Sequence, residues 1–309
     1  MKKPIVIKKK QTDENIESPR EESSLVDSNI SDISDISDTP DTSDVLDIPI
    51  HDFDQVSVAT TIKNITPTNQ NQIRVISYNI SRQERSHDLR QIILHLKENS
   101  PDLICFQEVT PQSYQYLVER LSGYRPFQAF VNDGHEEGIV SFIRLSKYRV
   151  LDPAYYDFTK TKEYNHILDC EIQNKTTRSR LHLINTRLDR SSAVRDTQID
   201  DLHTLIKTYD NVILCGDFTL KTIHDDEQFN ILNLKDSWRQ IGCSCQVKYT
   251  YDAKKNRNVP DERRERPDRI LFKSDKECTV DAFKLIGVGT KSQLPPSEHF
   301  GVMVCLKGN

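Results

Sequence analysis

The sequence of 309 residues predicts a mixed α/β domain over residues 71–309, behind an acidic Ser/Asp-rich tail, residues 1–70, that stays disordered. Three observations lead there. Residues 1–70 hold 7 Lys/Arg against 14 Asp/Glu and the remainder 35 against 33, so the net charge of −5 belongs to the tail. Beyond residue 70, short apolar runs alternate irregularly with segments of helical apolar spacing. Polar residues then collect at the ends of the apolar runs, where α/β domains assemble their sites.

In the tail, Ser31-Asp32-Ile33-Ser34-Asp35-Ile36-Ser37-Asp38 sets isolated isoleucines between acids. Such a stretch buries too little apolar area to offset chain ordering, which costs about 1–2 kcal/mol per residue. Its Ser-Asp pairs, and the apolar run Val45-Leu46-Asp47-Ile48-Pro49-Ile50, give it two ways to engage a protein partner, by phosphorylation-dependent docking or by strand addition. Arg74–Asn79 then reads as a strand, 88–97 as a helix with Leu89, Ile92, Ile93 and Leu96 on one face, 102–106 as a strand and 113–121 as a helix. β-rich segments follow at about 124–130, 138–151, 165–173 and 179–187, and a helix covers about 191–208. Asn211–Cys215 is a buried strand, and further strands fit 269–272, 280–286 and 301–306.

The order has no repeat of about 30 residues and no Gly-rich loop, and 9 glycines in the whole chain argue against a phosphate cradle of glycine amides. The near-neutral domain gives no global signal for nucleic acid, so a local patch must supply one. Seven cysteines, mostly inside apolar runs, read as core thiols plus the exposed pair Cys243 and Cys245 in a reducing compartment. No apolar run reaches the roughly 18 residues of a membrane span, and Pro4–Ile7 is too short for a signal-peptide core. The expectation is an intracellular protein of cytoplasm or nucleus, with no membrane partner.

Asn79 closes the first strand, Gln107-Glu108 the second and Gly216-Asp217 the strand after the long helix, while Ser297-Glu298-His299 precedes the last strand. One strand-end carboxylate is usually a turn former, but several polar strand ends in one chain make a site. The set suits phosphodiester hydrolysis. A hard cation takes oxygen ligands and keeps several waters, so Glu108, helped by Glu298, suffices to hold Mg²⁺, with Mn²⁺ as the alternative. Asp217 would orient or deprotonate the attacking water, His299 would hydrogen-bond a non-bridging oxygen, and Asp268 would fix a ring or an amide.

At these residues the chain resembles the endonuclease/exonuclease/phosphatase superfamily. Gly134-His135-Glu136-Glu137-Gly138, Asp236-Ser237-Trp238, Tyr249-Thr250-Tyr251-Asp252, Arg266-Pro267-Asp268-Arg269-Ile270 and Pro296-Ser297-Glu298-His299-Phe300-Gly301 narrow the likeness to the tyrosyl-DNA phosphodiesterase 2 family, over about residues 72–306. That resemblance implies a four-layered αββα sandwich, two mixed β-sheets flanked by helices, and magnesium-dependent hydrolysis of 5′-phosphotyrosyl DNA ends in DNA repair. The partner it implies is a DNA 5′ end, single-stranded or with an overhang. Trp238 and Tyr251 fall where the family places aromatics under the bases, and Lys221 and Arg266 join them as substrate-binding candidates. A core anchor is the alternative for Trp238, and a solvated loop face for the cluster from Lys254 to Arg266.

Three positions depart from the family pattern. Gly-Asp-x-Asn becomes Gly216-Asp217-Phe218-Thr219, Ser-Asp-His becomes Ser297-Glu298-His299, and Arg187 stands in place of a phosphate-binding histidine. Thr219 keeps an oxygen to orient water but loses an amide donor. Arg187 can bind phosphate yet cannot shed a proton. His182, five residues upstream on the same strand, faces the other way and is no substitute. These departures leave two alternatives open: a catalytically impaired relative that binds DNA ends or a protein partner, and a phosphodiesterase of the same fold with another substrate.

Overall fold

The computed structural model describes residues 9–11, 72–130, 137–160, 166–220, 223–290 and 293–308. In chain order the elements are β1 Lys9–Gln11, β2 Gln72–Asn79, α1 Ser86–Asn99, β3 Leu103–Val109, α2 Pro111–Arg120, β4 Tyr124–Phe130 and β5 Gly138–Arg144. Then come β6 Tyr148–Asp157, β7 His166–Asn174, β8 Arg180–Arg187, α3 Ser192–Ile206, β9 Val212–Asp217, α4 Ile223–Phe229, β10 Lys235–Asp236 and α5 Ser237–Gln240. The last are β11 Tyr251–Asp252, β12 Arg264–Glu265, β13 Asp268–Lys273, β14 Cys278–Ile286 and β15 Gly301–Gly308.

Each of the two large sheets has one parallel pair at its heart, made by a helical crossover. β2 and β3 run parallel through α1, and β8 and β9 run parallel through α3; the remaining pairings are antiparallel. A parallel pair needs such a crossover, whereas an antiparallel one can be joined by a short turn. One sheet has the order β14-β15-β2-β3-β5-β4 and the other β1-β6-β7-β8-β9-β13-β10. The β-rich segment expected over 138–151 is divided between them, because the turn at 145–147 ends β5 in one sheet and β6 begins in the other.

Period-two alternation sorts the side chains into layers. Val75, Leu103 and Cys105 from one sheet meet Leu183, Ile213, Cys215 and Ile270 from the other in a shared inter-sheet core. The alternate residues Ile76, Tyr78, Ile104 and Phe106 pack outward against Leu89, Ile92 and Ile93 of α1. Ile184, Leu214 and Leu271 pack against Ile199 and Leu202 of α3. Helix, sheet, sheet and helix therefore stack as four layers, with the spacing read in α1 and α3 selecting the face each helix buries. Local signals set the helix ends: Thr110 caps α2 in a reciprocal capping box with Ser113, with Pro111 at the first turn, and Ser100 closes α1 in the left-handed region.

Of the expected tail, only Lys9–Gln11 lies among the described residues, and its backbone pairs antiparallel with Tyr156, Tyr155 and Ala154 of β6. That pairing is a departure from a tail without structure at these three positions, and an edge strand of this length leaves no signature in composition. The Ser-Asp repeat and the 45–50 run lie outside the described residues. All seven cysteines are free, with Cys105, Cys170, Cys215 and Cys305 buried and Cys243 and Cys245 exposed. Among the described residues no helix is long and apolar enough to cross a membrane.

Candidate active site

The alternation that builds the inter-sheet core also delivers the polar strand ends into one place. Continuing the inward positions of each strand leads to Asn79 on β2, Gln107 on β3, Asn185 and Arg187 on β8, Asp217 on β9 and Asp268 on β13. Register aligns them across strands: Asn79 is opposite Gln107, Arg187 opposite Asp217, and Asp217 opposite Asp268. Gly216 lets β8 and β9 approach there, since a Cβ at this position would collide with the Thr186 carbonyl.

Asn79 is fully buried and forks between the two sheets. Its Nδ2 donates to Glu108 Oε1 at 3.0 Å and to Asp217 Oδ2 at 2.9 Å, while its Oδ1 accepts from the Ser81 amide at 2.9 Å. Asp217 Oδ1 accepts from the Thr219 amide at 3.0 Å, so both carboxylate oxygens are oriented. Deeper in, Gln107 Nε2 donates to Asn185 Oδ1 at 2.8 Å, and Asn185 Nδ2 donates to the carbonyls of Phe106 and Val140, each at 3.1 Å. These bonds stitch one sheet to the other directly beneath the site. Glu108 and Thr219 sit at φ 54° and 48°, and β3 is irregular between Phe106 and Val109. Non-glycine residues in that region are uncommon and cluster at functional sites.

On the facing side, Asp268 Oδ2 lies 2.7 Å from His299 Nδ1, with both residues buried. Burial pulls the imidazole pKa down, but the Asp268 carboxylate and the further charges of Asp217 and Glu108 prevail and push it up to about 9. The turn carrying His299 is pinned twice. Asn256 Nδ2 donates to the carbonyls of Ser297 and Glu298 at 2.8 and 2.9 Å, and Ser297 Oγ donates to the Asn79 carbonyl at 2.8 Å. Glu108, Asp217, Thr219, Tyr251, Glu298 and His299 line a single cleft.

The expected substrate and departure residues divide between the cleft and its surroundings. Tyr251 is in the cleft, edge-on to His299 with ring centroids 5.1 Å apart. Thr219 is there too, but its hydroxyl donates to the Asp189 carbonyl at 2.9 Å, leaving only acceptor capacity for water. Trp238 packs against the inter-sheet core, donates to the Ser244 carbonyl at 2.9 Å and carries the Arg266 guanidinium 4.6 Å above its ring. Arg266 is 8% exposed and bonded through both terminal nitrogens to Asp236, at 3.1 and 2.8 Å. Arg266, expected at the substrate, is held in a buried pair with Asp236 behind Trp238. Lys221 lies outside the described residues. His182 faces away, stacked on Tyr209 at 3.5 Å, as its odd offset from Arg187 requires.

Arg187 reaches Glu108 Oε1 through Nη2 and Glu137 Oε1 through Nη1, each at 3.0 Å. Glu137 entered the sequence reading only within the motif Gly134–Gly138, with no role given to it, and Asn185 and Asn256 were not singled out. The parity of β8 points to Asn185, while nothing in the spacing marks Asn256.

The donors present fit a hard divalent cation. Both described contacts of the Glu108 carboxylate fall on Oε1, Glu298 has no described side-chain partner, and Asp268 Oδ1 is buried without one. Ligand atoms of Asp217, Asp268 and His299 also lie within 4.8 Å of one another. The Asp268–His299 hydrogen bond accounts for that closeness, and an all-oxygen set at Glu108 and Glu298 suits a hard ion better.

Residues 76–218 match the sequence model of the Endonuclease/Exonuclease/phosphatase family. The chain resembles that family over those residues. It is also similar to tyrosyl-DNA phosphodiesterase 2 of Danio rerio, with 26% identity over 249 residues covering 74% of this chain, and to that of Homo sapiens, with 27% over 236 residues covering 71%. The chain spans 65% of the length of the first and 62% of the second. A crystal structure of the D. rerio protein complexed with a single-strand DNA product superposes with a TM-score of 0.70 at 25% identity, covering 76% of this chain and 99% of that one. The αββα sandwich expected from the sequence is thus the observed fold, shared with that structure.

Proposed function

We propose that this chain is a divalent-metal-dependent phosphodiesterase that hydrolyses 5′-phosphotyrosyl DNA ends, an intracellular activity of DNA repair. The observation that carries the reading is the Asn79 fork, which ties the cation-ligand candidate Glu108 to the water-orienting candidate Asp217 in one cleft with the Asp268–His299 pair. The relatives' names and the single-strand DNA product bound to one of them supply the substrate class.

Glu108 and Glu298 would hold Mg²⁺ or Mn²⁺, which when bound polarises a phosphoryl oxygen and neutralises charge developing on it. Asp217, oriented by Asn79 and the Thr219 amide, positions the attacking water and accepts its proton. The water oxygen bonds to phosphorus as the phosphorus–phenolic oxygen bond breaks, leaving a 5′-phosphate and a tyrosine phenolate that takes its proton from solvent. His299, with Asp268 on Nδ1, keeps Nε2–H for a non-bridging oxygen, and its raised pKa favours the cationic form that donates there. Tyr251 forms part of the cleft wall, edge-on to His299 and with the Arg263 guanidinium 5.0 Å from its ring centroid. Arg190 lines the cleft and pairs with no acid among the described residues, whereas Arg263 beside it is held by Asp261 and Glu265. Arg190 is thus the cleft cation available to a backbone phosphate.

Comparing oligonucleotides blocked by tyrosine at the 5′ or the 3′ end tests the substrate class. Release from the 5′ end alone is expected, and equal release from both would contradict the assignment.

One observation favours a second reading. The Arg187 guanidinium on Glu108 occupies the side of the carboxylate nearest Asn79 and adds positive charge where a cation must bind. A relative impaired in this way would bind DNA ends with little turnover.

A further inference from the structure

Arg187 is shared by two carboxylates, and one of them, Glu137, is shared by two arginines. Arg187 Nη2 is 3.0 Å from Glu108 Oε1, and its Nη1 is 3.0 Å from Glu137 Oε1. Arg82 reaches the same Glu137, donating through Nη2 at 3.0 Å and pairing through Nε as well. The side chains of Arg187, Glu108 and Glu137 are 8, 13 and 18% exposed, so solvent screens these contacts weakly.

The geometry sets a limit on what Arg187 can do to Glu108. A guanidinium left to itself grips a carboxylate with two parallel N–H donors, covering both oxygens. Here Glu137 draws one end of the fork aside: the closest approach of Arg187 to Glu108 falls on Oε1, and no parallel pair of hydrogen bonds joins the two among the described contacts. Glu108 Oε2 keeps no described protein partner. An arginine cannot be neutralised by losing its proton, so only its placement decides how strongly it opposes a cation at Glu108.

We propose that Glu137 is a positioning residue for Arg187, holding the guanidinium to one contact with Glu108 so that the carboxylate stays open to a divalent cation. The proposal rests on the cation reading given above. Removing the Glu137 charge lets Arg187 close a two-pronged pair on Glu108, and the cation is then excluded by a neighbour rather than by loss of a ligand.

Direct Mn²⁺ binding, read from the electron paramagnetic resonance signal of free Mn²⁺, tests this without any turnover. Four proteins form a cycle: wild type, Glu137→Gln, Arg187→Gln and the double variant. Expected are roughly tenfold weaker binding in Glu137→Gln, roughly tenfold tighter binding in Arg187→Gln, and less than about a twofold effect of Glu137→Gln once Arg187 is gone. Glu137→Asp separates reach from charge. It keeps the carboxylate one methylene short of Arg187 and should follow Glu137→Gln if position matters. Equal weakening by Glu137→Gln in both backgrounds, or a wild-type affinity in Glu137→Asp, would reduce Glu137 to a distant negative charge and overturn the proposal. A wild-type protein that takes up no Mn²⁺ sinks the cation reading itself, a result distinct from uptake without coupling.

Discussion

His299 Nδ1 and Asp268 Oδ2 lie 2.7 Å apart in a buried pair, and the second Asp268 oxygen has no hydrogen-bond partner among the described residues. With its pKa at about 9 against an ordinary 6.5, the imidazole is charged in the folded, metal-free protein at neutral pH. Its folded pKa is raised, so its stabilising contribution is complete below about pH 6.5 and is lost as pH rises through about 9. In Asp268→Asn the His299 titration, followed by NMR of the ring protons, should move well below 9. The gap in thermal midpoint between variant and wild type should be widest under pH 6.5 and shrink towards pH 9. A His299 titration unmoved by Asp268→Asn would show that the other carboxylates, not Asp268, hold the charge.

Asn79→Ala should remove the donor common to Glu108 and Asp217 while leaving both carboxylates in place. Misplacing catalytic groups by about 1 Å can cost on the order of 100-fold in rate, and a buried carboxylate oxygen without its donor costs about 1–3 kcal/mol. Both losses are expected, in turnover and in denaturant midpoint. A variant that is less stable yet fully active would mean that the fork serves only the fold.

The inward face of each strand was legible in the sequence, because alternation fixes it: once Val75 and Cys215 belong to the core, Asn79 and Asp217 must point the same way. The motifs shared with the family carried the rest of the candidate set. What escaped was pairing between elements far apart in the chain. Arg187 read as a free phosphate binder because its carboxylate partners, Glu108 and Glu137, sit 79 and 50 residues away. Arg266 read as part of a basic patch for the same reason, its partner Asp236 being 30 residues earlier and buried beside Trp238. Asn256 gave no sign at all, since a loop asparagine bonded to two carbonyls has no spacing to betray it.

Asn185→Ala deletes the three bonds that join β8 to Gln107 and to the carbonyls of Phe106 and Val140. Buried donors and acceptors left unpaired predict a loss of about 1–3 kcal/mol in urea unfolding, with the m-value unchanged. A loss within experimental error would show that water replaces the amide and that the sheets need no polar tie.

Arg190→Ala should weaken binding of a 5′-phosphorylated single strand without changing sequence preference. Removing one phosphate contact lowers the slope of log affinity against log salt by about 0.7 for single strands. Arg190→Lys should restore the slope. An unchanged slope in Arg190→Ala would take that residue out of the interface.

Release of tyrosine from a single-stranded 5′-phosphotyrosyl oligonucleotide, with and without Mg²⁺, in wild type and Glu108→Ala tests the phosphodiesterase assignment. Mg²⁺-dependent release is expected in wild type, falling at least about 100-fold in the variant. Release that ignores the metal, or that survives loss of the Glu108 carboxylate, would contradict it, and an oligonucleotide bound but never cut would establish the impaired relative that the Arg187–Glu108 pair suggests.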